Sequence, residues 1–475
     1  MLFIETRRAA YELDEATRIT LLERLQERGL VPLLRSARLH AFETALAGPE
    51  RVRELEHAVA AWAREAGESP YTRGDVFCFE EFALFLVFGE EAWMRAGVVY
   101  REDAREPRRQ LEALCRGVQE ALDSTRGAAD GNGARDDDEA SEASPVGARV
   151  VEWGEVETRV PAGFERFASA HGAGVKELTV GETSRFAGLL EDAGARRLLR
   201  RLVEAQEEGR AADAPAGGEL ANDANLARLA AAGLVRREVV VCCRRQGRAL
   251  FRLPTWEAFE TVAASGAVCS ECGAKLADER VQESVTPTEA GASVLKDGAW
   301  MAGRMTALLR DELGLPADHV AARPAQGEGE AHLLVNVCGE SFLLYLRDGD
   351  VAAPHARRAL DLEAETEAGH LVLIATGKIQ EESRLRLREH ARRRARAGTE
   401  VELLLVEGLE SAAAELRQAF ERVSQRALAA ELYELDSGLG FSVGHMLAAR
   451  FRLAHKSGAL RDLAAAAATS LANNL

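Results

Sequence analysis

Apolar residues recur at helical spacing through the first part of the chain, and this predicts helices. Ile19, Leu21, Leu22 and Leu25 share a face over residues 17–28, and Val52, Leu55, Val59 and Trp62 share one over 50–66. The densest apolar cluster is Phe79, Phe82, Leu84, Phe85, Leu86 and Phe88, read as the core of a helical domain over 1–122. From 123 to 146 the apolar positions vanish. Gly-rich and acidic runs, among them Asp136, Asp137, Asp138 and Glu139, predict a flexible acidic linker. Residues 147–265 return to helical patterning, with helices over 191–206 and 222–232 around a Gly/Ala/Pro break at 211–218. A hairpin follows over 237–252, turning at Gln246–Gly247. Residues 266–298 form a Cys-containing connector.

Beyond it the period changes. Short apolar runs at 332–338, 342–347, 370–377 and 400–406 alternate with polar helical segments. Two adjacent strands, a helix, a strand, a helix and a strand predict an α/β core over 299–432 with at least partly parallel pairing. A helix over 409–432 closes it, and 433–475 carries further helices. The expected fold class is multidomain, α and α/β.

Composition narrows the picture. The 475 residues suffice for several domains, and a hydrophobic fraction of 47% is ordinary for a globular chain. Dominance of Ala, Arg, Leu and Glu suggests a bacterial protein. The most apolar window, 77–100, carries Glu80, Glu81, Glu90, Glu91 and Arg95, so no membrane span is expected. Seven cysteines without a disulfide framework and no leader pattern at the start point to a cytoplasmic protein. A net charge of −17 argues against nucleic-acid binding by the whole surface and leaves room for a local basic face.

The run from Leu371 through Gly377 to Ile379, its helix and the strand ending at Gly408 resemble the second half of Mrr-type restriction endonuclease domains, within the PD-(D/E)XK superfamily. The resemblance implies an acidic residue on one strand and a Glu/Gln-x-Lys triplet on the next, together holding a divalent cation. Here the acidic position falls near His332, with Glu330 the nearest carboxylate, and the triplet falls on Tyr345, Leu346 and Arg347. Tyr is a poor Mg²⁺ ligand and Arg does not give up a proton, so the resemblance implies a nuclease fold without its chemistry. The alternative is an active site that has migrated, drawing on Glu330 and Glu340 with Glu312, Asp348 or Asp350 nearby. Mg²⁺ is expected only in that case.

The phrase from Leu226 to Val235 resembles the end of a recognition helix in winged helix-turn-helix proteins, with the 237–252 hairpin as the wing. Arg244, Arg245 and Arg248 at its tip are candidates for phosphate contact, with Asn225, Arg228 and Arg236 on the presumed recognition face. A second basic patch lies on the helix after Gly377, where Arg384, Arg388, Arg392 and Arg396 recur every four residues.

Cys269 and Cys272, followed by Gly273, have metal-ligand spacing like that of zinc knuckles. No second Cys-x-x-Cys exists. Of Cys242 and Cys243, which point to opposite faces of a strand, only one can join them; His332 or a carboxylate is the other candidate. A Zn²⁺ site and a ribbon that has lost half its ligands both fit.

The leading expectation is a non-catalytic nucleic-acid-binding or sensor subunit, resembling accessory chains of bacterial restriction and anti-phage systems, with DNA or RNA and protein chains as partners. An active metal-dependent nuclease and a protein–protein scaffold are the alternatives.

Overall fold

The computed structural model describes residues 1–46, 51–68, 70–89, 92–130, 151–157, 160–169, 186, 188–207, 224–296, 298–324, 329–436 and 442–451. The chain is mixed α/β, with three sheets among these residues. It divides into two compact units, one of residues 1–159, 337–339 and 417–475, the other of 160–336 and 340–416. No helix among the described residues is long and apolar enough to cross a membrane.

The first unit begins with strand β1 (Leu2–Ala9) and helices α1 (Glu15–Glu27), α2 (Leu33–Leu46) and α3 (Val52–Glu65). Strands β2 (Gly74–Cys78), β3 (Phe82–Phe88) and β4 (Met94–Arg101) and helix α4 (Pro107–Asp130) follow. The four strands form an antiparallel sheet in the order β1-β4-β3-β2. The expectation of a mostly helical domain with a helical core is therefore corrected. The Phe-rich cluster is β3, and its neighbours in the chain are strands as well.

The physical reason is burial on both faces. Leu84, Leu86 and Phe88 pack with α1 and α4, while Ala83, Phe85 and Val87 pack with Leu34, Leu428 and Leu447 on the other side. A strand covered on both faces needs no polar alternation, so its sequence reads as a continuous apolar run. α3 also differs in its inward face. Glu56, 1% exposed, pairs with Arg35 at 2.8 Å, which turns Val52, Ala60 and Ala63 inward and leaves Trp62 60% exposed. The helix α4 runs on through Asp130, past the expected linker start at 123, and residues 131–150 lie outside the described ones.

In the second unit, helices α5 (Ala162–Ser169), α6 (Ala193–Glu207) and α7 (Ala224–Ala231) precede the hairpin of β5 (Val235–Cys242) and β6 (Ala249–Leu253). Helix α8 (Trp256–Ala264) follows, capped by the Thr255 hydroxyl, and then β7 (Arg280–Pro287). β7 pairs antiparallel with β5, giving a three-stranded sheet in the order β6-β5-β7. Residues 266–298 are thus no separate connector, because they complete the hairpin's sheet. The expected break at 211–218 lies outside the described residues.

Helices α9 (Glu289–Lys296) and α10 (Ala299–Ala307) lead to β8 (Val320–Pro324), β9 (Glu330–Val337) and β10 (Glu340–Arg347). Then come α11 (Ala353–Thr366), β11 (His370–Ala375), α12 (Glu381–Arg396), β12 (Glu402–Glu407) and α13 (Ala412–Glu431). The five strands lie in sequence order across one sheet, with β8 antiparallel to β9, and β10, β11 and β12 parallel. Positive φ at Cys338 and Gly339 forms the tight β9–β10 turn. Leu343, Tyr345, Leu371 and Leu373 pack on Ala356, Ala359 and Leu362 of α11 and Leu387 of α12, so both crossover helices cover one face. The edge strand β8 was not expected from the sequence. The expected helices over 460–471 lie outside the described residues.

Candidate metal centre and nucleic-acid interface

The tip of the β5–β6 hairpin, the Cys269–Cys272 turn and the residue before β7 converge. Cys243, Cys269, Cys272 and Glu279 bring one ligand atom each to within 4.8 Å of one another, a group that could hold a metal ion. Cys243 and Cys269 are buried, as is Glu279, at 7% exposure. The sequence offered Cys269 and Cys272 and one of Cys242 and Cys243; Cys243, the residue just past the end of β5, is the one in the group. His332 is not in it. Glu279 was not singled out, because one carboxylate among 77 acidic residues carries no local signal.

The donors interact even without a cation. Cys272 Sγ donates to Glu279 Oε1 at 2.9 Å, and the Arg244 amide donates to the other carboxylate oxygen. That carboxylate pushes the Cys272 thiol up to about 12. Burial pushes the Cys243 thiol up, but the amides of Gln246 and Arg245 outweigh it and leave the thiol below its ordinary range. A bound divalent ion would reverse the effect at Cys272 and favour thiolate.

The positions matched to the nuclease motif form a different cluster. Glu330 opens β9 with 1% exposure. Arg358 of α11 approaches it with Nε 3.1 Å from Oε2 and Nη2 against Oε1. Arg347 Nη1 stands 3.7 Å from Oε1 and His355 Nε2 3.8 Å. Burial pushes the Glu330 carboxyl up, but Arg358, Tyr345 and Arg347 together hold it below the usual carboxylate range. Tyr345, fully buried, is pushed up by burial and by Glu330, so its phenol stays protonated. The His332 ring lies 5.0 Å from that of Tyr345, and burial lowers its pKa to about 4.

The five acids that a migrated site would draw on are each held separately. Glu312 accepts from Arg304 at 3.0 Å. Glu340 opens β10, at the turn end of the β9–β10 hairpin, and meets His370 Nε2 at 2.6 Å. Asp348 accepts from Arg200 at 2.8 Å, Thr376 at 2.9 Å and Trp300 at 3.3 Å. Asp350 accepts the Lys378 amide at 2.8 Å. Glu330 and Glu340 lie at opposite ends of their hairpin, and the structure does not bring them together. No group of three such ligands forms from these acids among the described residues.

Arg384, Arg388 and Arg392 of α12 line a groove of about 420 Å³ with Ala391 and with Leu403 and Leu405 of the edge strand β12. Arg384 is tied to Glu407 at 2.6 Å. Arg388, Arg392 and Arg396 are exposed, and no carboxylate among the described residues pairs with them. Arg244, Arg245 and Arg248 are also exposed, with Arg248 3.9 Å from Glu271. On the presumed recognition face, Arg228 pairs with Asp192 at 3.0 Å and Arg236 with Glu238 at 3.0 Å.

The chain matches no protein-family model, no curated protein and no solved structure.

Proposed function

We propose that this chain is a non-catalytic nucleic-acid-binding subunit, built on a nuclease-like sheet that has exchanged its cation for a guanidinium. The observation that carries the reading is the pairing of a sealed carboxylate with an open basic face. Arg358 and Arg347 occupy the oxygens of Glu330 that a divalent ion would need. On the same sheet, α12 presents Arg388, Arg392 and Arg396 to solvent in a chain of net charge −17. Unpaired arginines on an acidic protein concentrate positive potential where a phosphate backbone can release its counterions.

The hairpin–helix–strand–helix–strand order of β9 to β12 supports the likeness to restriction-endonuclease domains, and the β5–β6 hairpin supports the wing. The metal assigned to the Cys269–Cys272 turn is Zn²⁺. Catalysis belongs to a partner chain in this reading, as in accessory or sensor subunits of bacterial defence systems.

The test is salt-dependent binding to labelled duplex DNA, single-stranded DNA and RNA, with and without Mn²⁺, scored for cleavage on the same gel. Binding without cleavage is expected. Cleavage would return the active-nuclease reading, and no binding at any salt would leave a protein–protein scaffold, which the acidic surface favours.

A further inference from the structure

The two cysteine turns have the same construction. In the first, Cys243 N–H donates to Arg248 O at 2.8 Å and Gly247 N–H to Cys243 O at 2.7 Å. In the second, Cys269 N–H donates to Ala274 O at 2.7 Å and Gly273 N–H to Cys269 O at 2.9 Å. Gly247 and Gly273 hold φ of 70° and 72°, a left-handed conformation that favours glycine. Superposed in sequence, Cys243 matches Cys269, Gly247 matches Gly273, and Gln246 stands where the second turn has Cys272. The first turn is a knuckle with one thiol replaced.

The core around these turns is thin. Val241, Cys243, Cys269 and Leu276 are its buried members, two of them the thiols themselves, and Leu250, Phe251, Phe259, Val262, Ala267 and Cys272 pack against it only partly buried. So small an apolar cluster does little to hold three chain segments together, whereas a four-coordinate metal does so directly. Three sulfurs and one oxygen form a donor set suited to Zn²⁺, whose ligand atoms stand about 3.7 Å apart when metal–ligand bonds are about 2.3 Å. Small side-chain movements bring a group already within 4.8 Å to that spacing.

We propose that Cys243, Cys269, Cys272 and Glu279 bind one Zn²⁺, and that Glu279 takes the ligand place that Gln246 gives up in the first turn. The metal then fastens the hairpin tip to the entry of β7 and completes the β6-β5-β7 sheet at that end. Three thiolates and a carboxylate around a divalent ion leave a net charge of about −2. Arg244 and Arg245, next to Cys243 in the chain, offset that charge. Arg244 and Arg245 are thus placed to serve the metal centre.

The experiment is metal content of the purified full chain, followed by the rate of zinc release to a chromogenic chelator. It needs no nucleic acid, so its outcome is independent of the binding proposal above. One zinc per chain is expected. Cys269→Ser should lose it, and Glu279→Ala should release it at least about tenfold faster, since even outer-sphere partners are worth about ten- to a hundredfold. Adding Gln246→Cys to Glu279→Ala should restore slow release by rebuilding a four-thiolate site, which a merely misfolded variant would not do. A wild-type chain without zinc after growth in zinc-supplemented medium overturns the site. Release from Glu279→Ala at the wild-type rate, or no rescue by Gln246→Cys, overturns the role of Glu279.

Discussion

Arg358 on α11 and Glu330 at the start of β9 form a two-nitrogen pair, with Nε 3.1 Å from Oε2 and Nη2 against Oε1. The carboxylate is almost wholly buried and the guanidinium half exposed. An ion pair of this kind gives a sheet end its register but closes it to metal, because the lone pairs that would bind a cation already accept from arginine.

Removing the guanidinium should be costly. Arg358→Met leaves Glu330 buried with Tyr345, Arg347 and His355 near it, and a loss of about 2–3 kcal/mol is expected in urea unfolding. Glu330→Gln in the same background should recover part of it. A single Arg358→Met variant as stable as wild type would mean that the pair contributes nothing.

A pH-dependent loss should come from His332. Its pKa in the fold is about 4, against an ordinary 6.5, because burial disfavours the imidazolium. A lowered histidine is neutral in the fold and takes up a proton on unfolding, so it has no effect above pH 6.5 and destabilises progressively from 6.5 down to 4. The limiting cost is about 3 kcal/mol. Wild type and His332→Gln, unfolded in urea at pH 7 and pH 4.5, should show a difference in stability that shifts by about 2 kcal/mol between the two. An unchanged difference would rule the histidine out.

Arg388→Ala with Arg392→Ala should weaken nucleic-acid binding without touching the core, since both side chains are exposed. For every phosphate that is no longer neutralised, the slope of log K against log salt should fall by about one. Filter-binding titrations at several salt concentrations read the slope directly. A parallel loss at all salts would point instead to a change in fold.

In the first unit, Gly97 of β4 lies opposite Phe85 of β3. A Cβ on Gly97 would stand 2.1 Å from the tip of the Phe85 ring. Gly97→Ala should therefore destabilise by about 1–3 kcal/mol, and Gly97→Ala with Phe85→Leu should lose less than the two changes added. Strict additivity in thermal unfolding would contradict the contact.

The helices α1 and α12 were legible because helical spacing and charge pattern are local properties of the chain. So were the β5–β6 hairpin, announced by Gln246–Gly247, and the short apolar runs of β9 to β12. The Phe79–Phe88 cluster was misread for a reason equally physical. Its strand is covered on both faces, and an apolar run of that length does not say whether a helix or a sheet will bury it. Trp62 looked like a core residue until the Glu56–Arg35 pair turned α3 the other way.

The candidate metal centre divides along the same line. By itself, the sequence determined the two thiols of Cys269 and Cys272, a turn three residues apart whose geometry is local. It also supplied Tyr345 and Arg347, the residues that the resemblance to nuclease domains would set at the carboxylate and lysine positions. Only the tertiary structure decided that Cys243 rather than Cys242 faces those thiols, and that Glu279 closes the group. It likewise decided that Arg358, 28 residues from Glu330, seals that carboxylate. Strand alternation, pairing with β7 and the packing of α11 set those choices, and each depends on contacts between segments that no local pattern encodes.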